Sequence, residues 1–302
     1  MAAQTGVLRR GLSADLKAYM FILPYLAFFS VFILAPLIYG FYLSFVEWDL
    51  FSDPQWVGLE NYKQLLFDDN RFTVTAKNTV TFVAQSVPLL IIVPLMFALI
   101  LNRPFRGRTW AFVAFVSISF LPSVPILWMW GWMLETQSGL INYYLDALGL
   151  AKQALLSDPS KAMWTLALIT VWWTSGFNTI LLLAGLQDIP GELYEAAEVD
   201  GASPLSRFRF ITLPLLRDKL VLVGALAFIG SFKMFDQAYI LTNGGPMGRT
   251  RTLTLYLYDS GFRDFRIGKA AAISWLMFAM MFVFVAIYTY LNWRGMRGQA
   301  NT

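Results

Sequence analysis

The chain has 302 residues, 57% hydrophobic, 17% aromatic and 14% charged, with a mean hydropathy of +0.56. Soluble domains carry about 25% charged residues, so this composition excludes a water-soluble globule and fits a membrane protein with room for six or seven spans of about 20 residues. Cys and His are absent, and the formal net charge of +4 comes without a long basic run; disulfide frameworks, thiol chemistry, the commonest metal ligand and a nucleic-acid partner drop out.

The first apolar block, 18–46, is too long for a signal-peptide core and no small-residue cleavage pattern follows it. It reads as a retained span, with Pro24 and Pro36 tolerated because neighbouring helices can satisfy the freed carbonyls. Further apolar blocks at 79–101, 110–134, 162–185, 220–240 and 270–293 give an all-α polytopic membrane bundle of six transmembrane helices. No repeat or interdomain linker interrupts it, so 1–302 reads as one transmembrane domain.

Arg9, Arg10 and Lys17 precede span one, Arg103, Arg106 and Arg108 lie between spans two and three, and Arg207, Arg209, Arg217 and Lys219 between spans four and five. Arg294 and Arg297 follow span six. The positive-inside bias then puts both termini and these loops in the cytoplasm. Glu47, Asp49, Asp53, Glu60, Asp68 and Asp69 suit an external loop; Arg249, Arg251, Arg263, Arg266 and Lys269 after span five run against the rule. Within that last stretch Thr242-Asn243-Gly244-Gly245-Pro246 signals a turn, and 252–265 reads as an interfacial helix.

The loop 188–214 carries the sharpest local signals. Asp188 reads as a helix cap, Pro190 as a first-turn residue, and Glu192 and Glu195 as acids at the positive helix end. Gly201 suits a helix C-terminus, Ser203-Pro204 restarts a helix, and Pro214 should end it. Leu193, Ala196, Ala197 and Val199 form an apolar side, and Glu195, Glu198 and Asp200 an acidic one. The segment reads as a rigid knob that enters a partner's cleft; an ordinary juxtamembrane helix pair is the competing reading.

Glu195-Ala196-Ala197, three residues, Gly201, nine residues and Ile211-x-Leu213-Pro214 match the EAA motif of ABC-importer permeases without a gap. Asn78-Thr79, Gly139-Leu140-Ile141-Asn142, Thr242–Pro246 and Gly268-Lys269-Ala270-Ala271-Ala272 extend the resemblance. From about Lys17 to Arg294 the chain resembles the first membrane subunit of the carbohydrate-uptake branch, closer to the short glycerol-phosphate and trehalose types than to the maltose type. The resemblance implies a type I importer in a prokaryotic cytoplasmic membrane. It further implies a second homologous permease, two cytoplasmic ATPase subunits that bind ATP and Mg, and an external substrate-binding protein. Glu195, Ala196, Ala197, Asp200, Gly201, Ile211, Leu213 and Pro214 would then dock the ATPase, with Glu195 and Asp200 making polar contacts and Gly201 shaping the turn. Independently, no G-x-x-x-x-G-K-[ST] loop is present, so the subunit itself is read as non-catalytic, with no cofactor and no metal of its own.

On span four, Thr170, Trp173, Thr174 and Phe177 share one helix face, with Asn178 beside it; on span five, Ser231 lies one turn before Phe235. Aromatic faces suit sugar C–H surfaces. The resemblance to the maltose type carries a sugar site to these positions, though not to these residue types. Packing against neighbouring helices is the competing reading. Lys233 and Asp236, spaced i, i+3, are expected to form a structural ion pair, with an external gate as the alternative. Trp128, Trp130 and Trp132 read as an interfacial belt. An ion-coupled secondary transporter would have only Asp236 as an interior carboxylate, and a membrane enzyme lacks clustered catalytic groups. A disaccharide, an oligosaccharide and glycerol phosphate all remain as solutes; the lack of an interior Arg cluster tilts the reading towards a neutral sugar.

Overall fold

Apolar chain in lipid must close its backbone hydrogen bonds internally, and four of the six apolar blocks are continuous helix while two are helical with a break. The computed structural model describes residues 19–300; Arg9, Arg10 and Lys17 lie outside the described residues. In chain order the helices are α1 (Tyr19–Leu43), α2 (Asn70–Asn102), α3 (Arg108–Phe120), α4 (Ser123–Met133), α5 (Leu140–Ala147), α6 (Ala162–Gln187), α7 (Gly191–Val199), α8 (Arg217–Phe232), α9 (Leu253–Tyr258) and α10 (Ile267–Ala300). Short helical turns join them, and Val46–Glu47 pairs antiparallel with Gln55–Trp56.

Among the described residues, α1, α2, α6 and the 267–290 part of α10 are uninterrupted and apolar enough to cross a bilayer. The other two blocks are broken. The block 110–134 splits into α3 and α4, whose axes bend by 99°. Pro122 lacks an N–H and drives Leu121 to extended backbone (φ −75°, ψ 144°). The block 220–240 is continuous helix only to Phe232 and turns helical again from Asp236. The chain opens at 233–235, where Thr252 Oγ1 donates to the freed Met234 carbonyl at 2.9 Å, and then continues as a wide turn, Ala238–Thr242.

α6 is the centre of the bundle: 61% of its most apolar window is buried, against 0% for α1. α2 and α8 flank it, while α1 touches the body mainly near its C-terminal end, where Phe41 meets Trp275 edge-on at 4.7 Å. α2 contains Pro88 and Pro94. Pro94 cannot bond the Leu90 carbonyl four residues back, and the buried Asn178 amide of α6 does so instead at 3.1 Å. Asn178→Leu should therefore lower the stability of the purified subunit by about 1–2 kcal/mol. An unchanged melting temperature in detergent would contradict this.

At one end of the bundle, the loops 44–69 and 243–266 are tied together. Asn78 Nδ2 donates to the Gly248 and Arg251 carbonyls at 2.7 and 3.0 Å, and Leu253 N donates to Thr79 Oγ1 at 2.9 Å. Asp69 caps α2 through Arg71 N at 2.9 Å, accepts from Tyr256 Oη, and pairs with Lys269 at 2.5 Å. Burial raises the Asp69 pKa, but the bonds from Lys269 and Tyr256 outweigh it and hold the carboxyl below its usual range. Burial and the same carboxylate push the Tyr256 phenol up. The segment expected as an interfacial helix at 252–265 is helical over 253–263. It is α9 followed by a wide turn, with Leu253, Leu255 and Tyr256 buried in the body.

Candidate functional site

Two places bring chemistry-bearing residues together. The first is the knob at the opposite end of the bundle. α7 ends in paired bonds, Ala202 N to the Ala197 carbonyl at 2.8 Å and Gly201 N to the Glu198 carbonyl at 3.0 Å. Gly201 sits at φ +77°, the left-handed residue that this closure needs. Ser203 accepts from Ser206 N at 3.2 Å and starts the next helix with Pro204.

Two details differ from expectation. Asp188 ends α6 and pairs with Lys219 at 3.5 Å, so it caps nothing downstream, and Pro190 stands at the cap position of α7. Pro214 does not end the second helix: Leu213 keeps helical angles (φ −63°, ψ −44°), because a wide turn at Phe208–Thr212 changes the bonding register before the proline.

The two short helices are clamped to each other. Arg207 pairs with Glu198 at 2.7 Å, and Tyr194 Oη is 2.9 Å from Thr212 Oγ1. Glu198 is thus used within the knob. Among the described residues neither Glu195 nor Asp200 has an ion-pair partner. The apolar side faces outward, with Val199 88% and Leu205 74% exposed. Glu195 and Ala196 are exposed, Ala197, Ile211 and Leu213 half-buried. The knob is rigid inside and unsatisfied outside.

The second place is a cavity of about 520 Å³ between α2, α3, α6 and α8. It gathers the whole α6 stripe, Thr170, Trp173, Thr174 and Phe177, together with Ser231 and Phe235. The break in span five turns Lys233, Asp236 and Gln237 to the same space. No ion pair joins Lys233 to Asp236; their expected i, i+3 spacing on a helix is lost because no helix runs through 233–235.

The polar groups divide into used and free. Thr170 Oγ1 donates to the Leu166 carbonyl at 2.8 Å and accepts from Gln237 Nε2 at 3.0 Å. Thr174 Oγ1 donates to the Thr170 carbonyl at 2.8 Å, and Ser231 Oγ bonds with Ser86 Oγ at 2.9 Å. Trp173 Nε1 donates to the Leu121 carbonyl at the α3–α4 break at 3.3 Å, while Ser119 Oγ donates to the Trp173 carbonyl at 2.8 Å. The indole is therefore pinned by its edge. Phe177 is exposed, and among the described residues neither Lys233 nor Asp236 has an ion-pair partner. Composition and spacing found the α6 stripe; Ser119 and Gln237 were missed, since only the fold carries them to it.

Trp128 and Trp132 are exposed, whereas Trp130 turns inward and meets Trp172 edge-on at 5.3 Å. Asn142 is structural: its amide donates to the Gln153 carbonyl at 2.9 Å and its Oδ1 accepts from Gln153 N at 2.8 Å.

Residues 69–295 match the family described as binding-protein-dependent transport system inner membrane component. The chain is 39% identical over 274 residues to the trehalose/maltose transport system permease protein MalF of Thermococcus litoralis, covering 89% of this chain and 91% of that protein. It is 33% identical over 271 residues to the arabinooligosaccharides transport system permease protein AraP of Bacillus subtilis, covering 88% and 85%. In fold it is similar to a chain of a bacterial alginate ABC transporter crystallised with an alginate pentasaccharide-bound periplasmic protein. The TM-score is 0.83 over 94% of this chain and 96% of that one, at 22% identity.

Proposed function

The chain belongs to the family of binding-protein-dependent transport system inner membrane components, and from that premise we propose that it forms half of the membrane pathway of an ATP-driven saccharide importer. A second homologous permease supplies the other half, two cytoplasmic ATPase subunits that bind ATP and Mg drive it through α7, and an external binding protein delivers the solute. The chain is one permease unit with 188–214 as its coupling segment, and it catalyses no reaction itself.

One observation carries this reading: a knob braced by Arg207–Glu198 and Tyr194–Thr212 leaves Val199, Leu205, Glu195 and Asp200 facing outward at the end of the chain's own bundle. Such a surface suits a cleft on a partner that must transmit force.

Both termini and the knob face the cytoplasm. The cations after span five run against this orientation; three of them, Arg251, Arg263 and Lys269, are held in ion pairs with Asp259 and Asp69.

The cavity supports a neutral saccharide as the solute. It offers one cation and one anion, an indole fixed by its N–H, and a free phenyl face. A phosphate ester would find a single ammonium beside a carboxylate. The printed names of two relatives, trehalose/maltose and arabinooligosaccharides, agree on saccharides. An ion-coupled mechanism is disfavoured because Asp236 shares its cavity with Lys233. Trp173→Ala should lower uptake of labelled saccharide roughly 3- to 10-fold at unchanged expression, the loss of one aromatic platform. Full uptake by that variant rejects its lining role.

A further inference from the structure

The neutral polar groups on the cavity wall already serve the protein. The Thr170, Thr174 and Ser119 hydroxyls and the Trp173 indole N–H all donate to main-chain carbonyls, at 2.8, 2.8, 2.8 and 3.3 Å. The Gln237 amide donates to Thr170 Oγ1 at 3.0 Å, and Ser231 Oγ bonds with Ser86 Oγ at 2.9 Å. Lys233 and Asp236 stand apart. Both line the same cavity of about 520 Å³. Among the described residues neither side chain has a hydrogen bond or an ion pair.

The course of the chain keeps them open. On an intact helix their i, i+3 spacing would let them close on each other. Instead α8 ends at Phe232, Lys233 follows as its cap (φ −91°, ψ 13°), and helical backbone resumes at Asp236. Thr252 Oγ1 holds the break by donating to the Met234 carbonyl at 2.9 Å. A cation and an anion without partners in a membrane span are costly, so packing gives no reason to keep them. A neutral, hydroxyl-rich ligand satisfies both at once. A carboxylate accepts from two adjacent hydroxyls, and an ammonium donates to hydroxyl oxygens. Hydrogen bonds to charged groups are also the stronger ones. An anionic ligand would meet Asp236, and a cationic one Lys233. The Trp173 and Phe177 rings line the same space and suit the apolar face of a sugar ring.

We propose that Asp236 and Lys233 are the specificity-determining contacts of the cavity, Asp236 accepting from two adjacent hydroxyls of one sugar ring and Lys233 donating to a neighbouring hydroxyl oxygen. The transported saccharide then carries an unsubstituted vicinal diol. This rests on the saccharide reading above and adds to it the feature of the sugar that the membrane subunit reads.

The test uses the complete transporter in proteoliposomes with tritiated trehalose, maltotriose and arabinotriose, each loaded to saturation on the binding protein. Uptake of the transported sugar is followed beside that of its mono-deoxy analogues. Asp236→Asn and Lys233→Gln should each lower uptake of the parent sugar about 10- to 100-fold, with the melting temperature and the binding-protein affinity unchanged. The unmodified transporter should carry at least one analogue as poorly, and Asp236→Asn should carry that analogue no worse than the parent sugar. Exchange of the two charges, Lys233→Asp with Asp236→Lys, should not restore uptake, because donor and acceptor then face the wrong groups. Normal uptake by both single variants overturns the inference, as does restoration by the exchange, which marks a mutual ion pair or a gate. A loss that comes with a lowered melting temperature overturns it too, and so do losses from variant and analogue that multiply for every analogue. These results leave the saccharide reading standing. Uptake of none of the three sugars by the unmodified transporter contradicts that reading, and the inference with it.

Discussion

Gly201→Asp should abolish ATPase docking and lower uptake by about 100-fold or more, yet leave the subunit able to insert and fold. Gly201 has φ +77°, and a Cβ there would meet nothing within 4 Å. Within the chain the substitution therefore costs only the left-handed backbone penalty of about 1–2 kcal/mol, and Asp is among the residues that tolerate that region best. At a partner's cleft the outcome differs. The new carboxylate joins Glu195, Glu198 and Asp200, and desolvating it without a partner costs several kcal/mol; about 2.7 kcal/mol already corresponds to 100-fold. Gly201→Ala adds a methyl group to open space and should lose no more than a few-fold. Pull-down of the ATPase, with membrane level and melting temperature in parallel, separates docking from folding. Retained ATPase with normal uptake in Gly201→Asp would contradict the docking role.

Gly268→Ala has the opposite signature, a loss of the folded subunit itself. A Cβ on Gly268 would overlap the Val46 carbonyl oxygen, lie 2.9 Å from the Val46 carbonyl carbon and 3.2 Å from Asn61 Nδ2. The nearest atoms are backbone and cannot swing aside. They are also fixed: Asn61 Nδ2 donates to that carbonyl at 3.0 Å, Val46 pairs with Trp56, and Ile267 N donates to the Trp48 carbonyl at 2.9 Å. Relief requires the start of α10 to leave the ribbon, which also strains the neighbouring Lys269–Asp69 pair. Overpacking of this kind costs about 1–3 kcal/mol where side chains can adjust and more where they cannot. The expected result is a melting temperature in detergent lowered by many degrees and little folded protein; an unchanged melting curve would contradict the contact.

The two glycines show why some of the molecule is legible in its sequence and some is not. Gly201 works locally: a helix stop, a cap at Ser203 and a proline at 204 follow each other along the chain, so the knob can be read residue by residue. Gly268 works at a distance. Its partner, Val46, lies on the other long loop, and no local rule points there. The same division holds for the spans. Hydropathy located, among the described residues, four helices able to cross a bilayer and a fifth span as a bent pair, because long apolar runs are legible without knowledge of their neighbours; the block 220–240 is not a continuous span. It could not show the break at 233–235, where Thr252 from a later segment compensates the open backbone, and that break turns Lys233 and Asp236 into the cavity.

Prolines were the least readable residues. Pro122 breaks its span, Pro94 remains inside α2 because Asn178 supplies the missing donor, and Pro214 is carried through by a wide turn. The choice depends on what the neighbouring helices offer. The α6 stripe was readable because 3.6-residue periodicity puts Thr170, Trp173, Thr174 and Phe177 on one face. Which hydroxyls are already occupied was not, because Gln237 and Ser86 arrive from other helices.

The most direct test is saccharide uptake into proteoliposomes assembled with this chain, its partner permease, the ATPase and the binding protein. The account predicts uptake that needs ATP, the separate ATPase and the binding protein together, and that continues when proton and sodium gradients are collapsed. Uptake by the chain without the ATPase, driven by an ion gradient, would contradict it.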